Sequence, residues 1–519
     1  MRQVIGVLGT PIDRLNLANV IERLDQFIQE GSFHQVATAN TDFLINAISD
    51  PELRHILRQA DLVVPDGMPV VWGSRLMGCP LPERVAGADI VPRLAALAAQ
   101  KGYRIYMLGA RPDIARRAKE RLEADYPGLQ VVGCVSPPCT SIVEMDSTAI
   151  LNDITCAEPD ILLVAFGNPK QEKWIHMHRE SLQNVAVCMG VGGTFDFIAG
   201  EVPRAPAVLQ RTGLEWTHRL LHDPRRLWRR YARDLFIGGR HLFRQWHSLR
   251  RQQTSGQFDL HIAHAGECAI LSPVGDLTRM HVPRFRRAAE EALNAGARLI
   301  LDIQGVTSLD TVALGTLLIL PKRAAYCSQE VRMLAVPPEM ERMLRECHID
   351  SELYPFAETV AHAVTEWEHD GLYWRVQSGK EAAVVTVNGS ANYATTNQLE
   401  QTCRRLVEIG KRIDLDARGV TYVDAFLLSA LSRINSLCGS RTGIGGATNR
   451  NFRIACGNTL RRALKRESLH NSFSLLEAPE VPKDAREMAS FALEEHSVHR
   501  SGISAKAVHK DRTPVLTTS

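Results

Sequence analysis

Short apolar runs alternate with amphipathic stretches of helical length over residues 4–193. The runs read VIGVLG, HQVATAN, DLVVPDG, RIYMLGA, LQVVGC, DILLVAFG and NVAVCMGVGG. Strands separated by helix-length intervals predict βαβ units, and short, continuously apolar strands are typical of a parallel sheet that is covered on both faces. The pattern therefore predicts an α/β fold with a mostly parallel sheet and helices on both of its faces.

Polar residues follow most of these predicted strands. Ligands of open parallel sheets bind where the strands end, so the residues that follow them predict a site. These residues are Thr38, Asn40, Asp66, Gly109, the turn 167–172 with the sequence GNPKQE, and the turn 192–196 with the sequence GGTFD.

Two of these turns have a second interpretation. Asp66 either faces a substrate or caps the helix that is predicted to begin near Met68. In the turn 167–172, Gly167 permits a tight bend, and Lys170 together with free backbone N–H groups predicts a place for an anion or a sugar hydroxyl. The same turn is also typical of a well-capped helix start. From the residues alone, both alternatives stay open.

The second half of the chain contains an internal repeat. The stretch RLILDIQGVTSLDTVALGTLL at 298–318 aligns with RIDLDARGVTYVDAFLLSALS at 412–432. Each copy begins with a hairpin-like pair of strands and continues as helix, strand, loop and helix. The repeat predicts two related α/β domains, at 258–366 and 372–480, followed by a polar tail at 481–519.

Composition excludes several classes of protein. A formal net charge of +3, from 61 basic and 58 acidic side chains, is unlike that of a nucleic-acid-binding protein. Eleven cysteines without a Cys-x-x-Cys pair predict reduced thiols rather than a disulfide framework or a zinc site. The N-terminal residues do not resemble a signal peptide, and apolar stretches stay well short of a membrane span, so any membrane contact is expected to be peripheral.

Familiar cofactor and metal motifs are missing or misplaced. The sequence holds no Walker A motif, and GVGGTF lacks the spacing of a dinucleotide-binding turn. Asp414 and Asp416 form an Asp-x-Asp pair, but the repeat places them on a strand, so we expect them not to bind a metal. His176 and His178 are two residues apart on a predicted helix and point in different directions. We therefore expect neither a metal nor another cofactor.

Residues 1–246 closely resemble the WecG/TagA/CpsF family of glycosyltransferases. The motifs that carry the likeness follow the family's order and include TANTDFL, DLVVPDGMPVVW, ERVAGADI, PDILLVAFGNPKQEKWI, GVGGTFDFIAGEVPRAP and GLEWTHRLLHDPRRLWRRY. The resemblance implies an inverting, metal-independent enzyme. It would move N-acetylmannosamine or a related hexose from a UDP-sugar to a polyprenyl-diphosphate-linked acceptor, in bacterial surface polysaccharide or exopolysaccharide biosynthesis.

The resemblance also implies roles for individual residues. An inverting transferase needs one carboxylate to take the proton of the acceptor hydroxyl, and Asp66 is the implied general base. Thr38 and Gln171 are further candidate catalytic residues. The candidate substrate-binding residues are Asn40, Arg84, Gly109, Asn168, Lys170, Asp196, Arg219, Arg226 and Arg229.

The basic segment 213–246 has two compatible interpretations. Arginine side chains suit the diphosphate of UDP, because the guanidinium fork matches phosphate oxygens. The segment is equally typical of a basic amphipathic helix on anionic lipid, with Asp223-Pro224 starting a new helix. The two interpretations are compatible, because a lipid-linked acceptor requires the enzyme to lie at the membrane. The segment therefore predicts a peripheral enzyme on the cytoplasmic, inner face of the plasma membrane.

Both repeats resemble STAS domains, the fold of anti-sigma-factor antagonists. Members that are switched by phosphorylation carry Ser or Thr directly after a loop aspartate. The first repeat has Thr311 after Asp310, which makes Thr311 a candidate phosphosite, whereas the second has Ala425 after Asp424. The likeness implies regulation or docking of a protein partner, and a purely structural pair of domains is the alternative.

Two functions from different classes follow from the sequence. The first is a UDP-sugar-dependent glycosyltransferase with STAS modules that regulate or dock it. The second is a non-catalytic regulatory protein whose STAS pair carries the function while the transferase-like region senses a nucleotide sugar. Asp66, Gln171 and the arginine motifs favour the enzyme.

Overall fold

A computed structural model gives the fold of the chain. It divides into two compact units, Met1–Glu366 and Trp367–Ser519. The structure describes residues 486–488 and residues 2–476, except for 139–140, 143–144, 203–204, 207–208, 210–214, 216, 218–223, 253, 335, 350–352, 355, 358–371, 379–380, 392, 440–450 and 468.

The first unit contains a six-stranded sheet in the order β4-β3-β8-β7-β5-β6, with every neighbouring pair parallel. Most of its strand residues are buried, as expected when helices cover both faces. The predicted α/β fold is thereby confirmed. The strands are β3 (His34–Ala39), β4 (Leu62–Pro65), β5 (Arg104–Gly109), β6 (Gln130–Val135), β7 (Ile161–Ala165) and β8 (Val187–Gly190).

Helices pack on both faces of this sheet and form two apolar cores. Against one face lie α1 (Leu17–Glu30), α5 (Gly87–Lys101), α6 (Pro112–Asp125) and α9 (Thr194–Ile198). Against the other lie α2 (Thr41–Ser49), α3 (Pro51–Gln59) and α4 (Met68–Leu76). The remaining helices of this region are α7 (Ser147–Ala157), α8 (Lys170–Met177) and a short 3-10 helix (Arg179–Leu182).

The first apolar run does not join the parallel sheet, contrary to the prediction. It forms β1 (Val4–Val7), which pairs with β2 (Thr10–Asp13) in a separate antiparallel hairpin. The hairpin packs over edge strand β4, and Asp13 Oδ2 accepts a hydrogen bond of 2.8 Å from the Val63 N–H. An apolar run alone does not show whether a strand lies within a sheet or across it, which explains the error.

The basic segment continues as a helical connector. It comprises α10 (Pro224–Arg233), a π-helical turn (Asp234–Gly238) and α11 (Gly239–Arg250). The helix starts at Pro224, as predicted. Several large apolar side chains of this connector are exposed: Trp228, Leu235, Phe236, Ile237 and Phe243.

The first repeat is an α/β sandwich within the first unit. Its sheet has the order β12-β10-β11-β13-β14, and β9 pairs antiparallel with β10. The strands are β9 (Phe258–Ala265), β10 (Cys268–Leu277), β11 (Arg298–Leu301), β12 (Val306–Leu309), β13 (Val331–Leu334) and β14 (Phe356–Ala357). The helices are α12 (Val282–Asn294), α13 (Thr311–Tyr326) and α14 (Pro338–Glu346).

The second repeat forms the second unit, and its strands pair as those of the first repeat do. One long strand, β17, replaces β11 and β12, and strand β20 has no counterpart in the first repeat. An antiparallel hairpin is followed by parallel strands, in the sheet order β19-β18-β17-β16-β15-β20. The strands are β15 (Leu372–Ser378), β16 (Ala382–Ser390), β17 (Arg412–Tyr422), β18 (Phe452–Cys456), β19 (Ser474–Leu476) and β20 (Arg486–Met488). The helices are α15 (Tyr393–Glu408), α16 (Ala425–Gly439) and α17 (Asn458–Arg466).

Strand β20 lies beyond the predicted end of this domain at residue 480. It pairs antiparallel with β15, so part of the predicted polar tail joins the sheet. The edge of β15 offers unpaired backbone groups, and a short polar strand can satisfy them without an apolar signature of its own. The composition of the tail therefore gave no signal for this strand.

Candidate active site

The residue that follows β4 lies beside the end of β3. Ala39 and Pro65 are opposite each other in the register, and the Asp66 N–H donates to the Ala39 carbonyl over 3.0 Å. Asn40 comes next on β3 and caps α2, because its Oδ1 accepts from the Phe43 N–H over 3.1 Å. The two predicted residues Asn40 and Asp66 thus share one edge of the sheet.

Asp66 does not occupy the N-cap position of the following helix. Helix α4 begins at Met68 as predicted, but its N-cap residue is Gly67 and no side chain makes the capping hydrogen bond. Asp66 is half-buried at the strand end. Its place at the end of β4, at the edge of the sheet where ligands bind, keeps the substrate-facing interpretation as a prediction.

Arg84 is the cation next to this carboxylate. Its guanidinium donates to Glu215 over 2.7 Å and to Asp89 over 3.2 Å, and its side chain is 14% exposed. Burial lowers the pKa of Arg84, but the charges of Glu215, Asp66 and Asp89 outweigh burial and raise the pKa above its usual value. Arg84 therefore stays charged among these carboxylates.

Sequence reasoning missed Glu215 and Asp89. A signal for Glu215 exists, because it is an acidic residue within the otherwise basic stretch GLEWTHRL. Its partner Arg84 lies 131 positions earlier, so only the fold could join them.

Gln171 lies beneath the site and joins two of its turns. Its Oε1 accepts from the Gly167 N–H over 3.1 Å and from the Gly192 N–H over 3.0 Å. Both glycines have positive φ angles, of 80° and 51°, which favour glycine. The amide is buried, with the residue 1% exposed. Gln171 therefore fixes the shape of the turns after β7 and β8.

Glu172 supports this amide from below. Gln171 Nε2 donates to Glu172 Oε1 over 2.8 Å, and a Cβ on Gly190 would come within 2.4 Å of both side chains. Burial raises the pKa of Glu172 to about 8, although the hydrogen bond from Gln171 opposes the shift. The carboxyl group is therefore mostly protonated at pH 7 and serves the interior of the fold.

Thr38 makes a similar link between strands. Its hydroxyl is buried and donates to the Gly190 carbonyl over 3.1 Å, which ties the end of β3 to the end of β8. Together with Gln171, it connects the carboxyl ends of β3, β7 and β8. The side chains of Thr38 and Gln171 therefore hold the ends of these strands in place.

Asn168 offers the clearest unoccupied polar group at this edge. Both polar atoms of its side-chain amide are buried, and neither has a hydrogen-bond partner among the described residues. Leaving a buried amide unpaired costs roughly 1–3 kcal/mol per group, so a ligand that pairs with it gains stability. Lys170 begins α8 two residues later.

Gly109 and Asp196 complete the set of predicted residues at the strand ends. Gly109 ends β5 with a φ of 103°, and a Cβ there would lie 2.8 Å from the Ala165 carbonyl. Asp196 lies in α9, and its carbonyl accepts from the Glu201 and Val202 N–H groups. Gly109 and Asp196 therefore lie at or after the ends of β5 and β8, on either side of the turn that follows β7.

Comparison with known proteins shows to which family the chain belongs. The model of the glycosyl transferase WecG/TagA/CpsF family matches residues 5–252, and a STAS domain model, described as "Mlab, STAS domain", matches residues 260–355. An N-acetylglucosaminyldiphosphoundecaprenol N-acetyl-beta-D-mannosaminyltransferase of Bacillus spizizenii is 37% identical over 207 residues, which are 40% of this chain and 76% of the relative. The chain belongs to the WecG/TagA/CpsF glycosyltransferase family.

Further relatives are mannosaminyltransferases of the same name. That of Bacillus subtilis is 34% identical, with 44% of this chain and 87% of the relative aligned, and that of Staphylococcus aureus MW2 is 26% identical, with 45% and 90% aligned. A solved anti-sigma factor antagonist from Mycobacterium paratuberculosis covers 22% of this chain and 96% of its own, at 17% identity and a TM-score of 0.19, which is too low to carry functional meaning. This chain is a glycosyltransferase with a STAS domain in its first repeat.

The structure places the predicted arginines of this transferase only in part. Arg219 lies outside the described residues, and Arg226 lies on α10, with its side chain outside the described part. Arg229 is exposed, with its guanidinium 5.7 Å from the Trp228 ring. The following Arg233 pairs with Asp42 and so anchors α10 on α2.

Searches for a metal site and for a membrane span gave no candidate within the described part of the chain. No group of three His, Cys, Asp or Glu side chains there could hold a metal ion, and no helix is both long and apolar enough to cross a bilayer. Asp414 and Asp416 lie on β17, as predicted, and they pair with Arg453 and Arg418.

The predicted phosphosite is enclosed in the STAS domain. Asp310 caps α13 by accepting from the Val312 and Ala313 N–H groups, and it also accepts from the Arg279 N–H. Thr311 is fully buried, and its hydroxyl has no hydrogen-bond partner among the described residues. A kinase would reach this hydroxyl only after local opening of the domain.

Proposed function

We propose that the chain is an inverting, metal-independent transferase that moves N-acetylmannosamine or a related hexose from a UDP-sugar to a polyprenyl-diphosphate-linked acceptor. The product would serve bacterial surface polysaccharide or exopolysaccharide biosynthesis. The sugar and the acceptor are supported by the relatives, which are mannosaminyltransferases that act on N-acetylglucosaminyldiphosphoundecaprenol. The observation that carries the catalytic proposal is Asp66, a half-buried carboxylate at a strand end that feels the charge of Arg84.

In the proposed reaction, Asp66 takes the proton of the attacking acceptor hydroxyl. That oxygen bonds to the anomeric carbon of the donor from the side opposite the diphosphate, and the bond between the anomeric carbon and the diphosphate oxygen breaks to release UDP. Arg84 stabilises the ionised Asp66 before the attack, because its positive charge lowers the energy of the carboxylate. A base of this kind accelerates transfer by roughly a hundred- to ten-thousand-fold.

The other predicted residues have supporting roles in this proposal. Thr38 and Gln171 hold the turns in place, since their side chains are already paired with the backbone of the edge. Asn168 is suited to a sugar hydroxyl because both of its polar groups lack a partner among the described residues. The substrate-binding set is completed by Asn40, Gly109, Lys170, Asp196 and, for the diphosphate of UDP, Arg219, Arg226 and Arg229.

The enzyme is proposed to work as a peripheral protein on the cytoplasmic face of the plasma membrane. Segment 213–246 would lie on the bilayer, because arginines attract anionic headgroups while apolar side chains enter the interface. Leu235 and Phe236 support this placement, with exposed fractions of 72% and 75%.

The second repeat is proposed to be a STAS-like domain as well. Its strand pairing, which matches that of the first repeat, supports this assignment. The proposed domains are 1–246, 258–366 and 372–480, with a tail at 481–519. The STAS-like domains would regulate or dock the transferase, with Thr311 as a candidate phosphosite.

The test is release of UDP by the purified full-length chain. It is incubated with UDP-N-acetylmannosamine and an N-acetylglucosaminyl diphosphate on a short lipid, with and without added chelator. We expect UDP release that requires the acceptor and persists with the chelator. Binding of the UDP-sugar without release, on a panel of donors and acceptors, would favour the alternative of a non-catalytic nucleotide-sugar sensor.

A further inference from the structure

The STAS domain contacts the transferase through two glycines. A Cβ on Gly315 of α13 would lie 2.8 Å from the Val4 carbonyl oxygen and 2.9 Å from Ile5 Cα. From the other side, a Cβ on Gly6 of β1 would lie 2.8 Å from Leu314 Cβ. The backbones of α13 and hairpin β1–β2 therefore approach more closely than larger residues at these two positions would allow.

Charged side chains close the rim of this contact. Lys322 of α13 forms an ion pair with Asp61, the residue before β4. Arg58 of α3 donates to the His348 carbonyl, and Arg286 of α12 donates to the Arg2 carbonyl over 2.9 Å. Three helices or loops of the STAS domain thus bind three places around the hairpin.

One glutamine in the connector binds the hairpin, and a second glutamine just after the connector binds the STAS domain. Gln245 of α11 is fully buried, accepts from the Leu8 N–H and donates to the Gly6 carbonyl, each over 2.9 Å. Gln252, seven residues later and just beyond the helix, makes the same pair of hydrogen bonds with the backbone of Leu309, before α13. The connector therefore holds the hairpin and the STAS domain in one arrangement.

The second repeat shows that these contact residues are not needed for the repeat fold. The positions of Gly315 and Lys322 are occupied there by Ser429 and Ser436, and helix α16 forms with both serines. Gly315 and Lys322 therefore have a role that is particular to the first repeat. Gly315 contacts the hairpin, and Lys322 contacts Asp61 beside it.

We infer that the STAS domain is held in a fixed position against the transferase domain, and that hairpin β1–β2 covers the α13 surface of the STAS domain. A separate protein can use this surface only after the domain has come away. The aligned region takes in 87% of the Bacillus subtilis relative, which leaves too little chain for a STAS domain there. The STAS domain is thus an addition to the transferase fold in this chain.

Hydrogen–deuterium exchange of the hairpin amides in the full-length chain tests this inference. Gly315→Val drives a branched side chain into the Val4 backbone, so exchange in β1 and β2 should rise by roughly tenfold or more, while β7 stays protected. Ser429→Val is the matched control in the second repeat and should leave the hairpin unchanged. The readout is independent of transfer, so it does not depend on the proposed reaction.

A second variant guards against misfolding of the domain. Lys322→Ala removes only the rim ion pair and should raise hairpin exchange in the same direction by a smaller factor, with the amides of β11 still protected. Unchanged hairpin exchange in both Gly315→Val and Lys322→Ala would overturn the inference. Equal acceleration in Ser429→Val would overturn it too, because the effect would then be general loss of stability.

Discussion

Asp66 shows how one side chain can be separated from its structural surroundings. Its backbone N–H belongs to the sheet, through the bond to Ala39, and the N-cap position of α4 is occupied by Gly67. The carboxylate and the charge of Arg84 lie close enough to interact. Changing the carboxylate alone should therefore alter chemistry without altering the fold.

We expect Asp66→Asn to fold normally and to bind the UDP-sugar, because the amide keeps the size of the carboxylate. Turnover should fall by roughly a hundred- to ten-thousand-fold, since an amide does not accept the proton. UDP release and the thermal unfolding midpoint check this together. Near-normal turnover of the folded variant would show that the base is another residue.

Gln171 illustrates a residue that acts through others. Gln171→Ala leaves the N–H groups of Gly167 and Gly192 unpaired, at a cost of roughly 1–3 kcal/mol for each buried group. The unfolding midpoint should fall, and UDP-sugar affinity should weaken because the two turns lose their shape. Titration of the donor and thermal unfolding measure these effects. Lost turnover with unchanged affinity and stability would instead indicate a direct part in the reaction.

At the scale of elements, the parallel sheet could be predicted from its apolar runs, but the contacts at its edge could not. Gln171 reaches the turn at Gly192 only because β7 and β8 are neighbours, and strand order is not written in the apolar pattern. The pairing of Arg84 with Glu215 spans 131 positions for the same reason. The sequence predicted which residues follow each strand. It could not predict which of their side chains face a substrate and which bind the backbone, because that depends on the order of the strands.

Helix α8 carries a pH-sensitive group in its first turn. The pKa of Glu172 is about 8 in the fold and about 4.5 when unfolded, so the folded state holds more protons between these values. Its contribution to stability is complete below about pH 4.5 and is lost as the pH rises through 8. Glu172→Gln should therefore remove part of the fall in unfolding free energy between pH 5 and 8.5. Parallel stability curves for the two proteins would contradict this.

At the scale of the whole chain, the exposed apolar side chains of the connector belong with the proposed membrane contact. The double variant Leu235→Ser with Phe236→Ser should weaken binding to anionic vesicles by roughly tenfold or more, because two large apolar groups lose their burial in lipid. Transfer to a short, water-soluble acceptor should be unchanged. Tyr326→Ser is the control, since Tyr326 is 82% exposed on the STAS domain. Vesicle cosedimentation that is equal for all proteins would reject the placement.

The bond between Asp13 and Val63 has a consequence for self-association. Strand β4 is the edge of the large sheet, and edges with free backbone groups invite a strand from another molecule. Here the Val63 N–H is taken by Asp13, Pro65 has no N–H to offer, and the Pro65 carbonyl accepts from Val85 over 2.8 Å. A second copy of the chain therefore finds fewer backbone groups to pair with at this edge, which disfavours fibre-like growth of the sheet there.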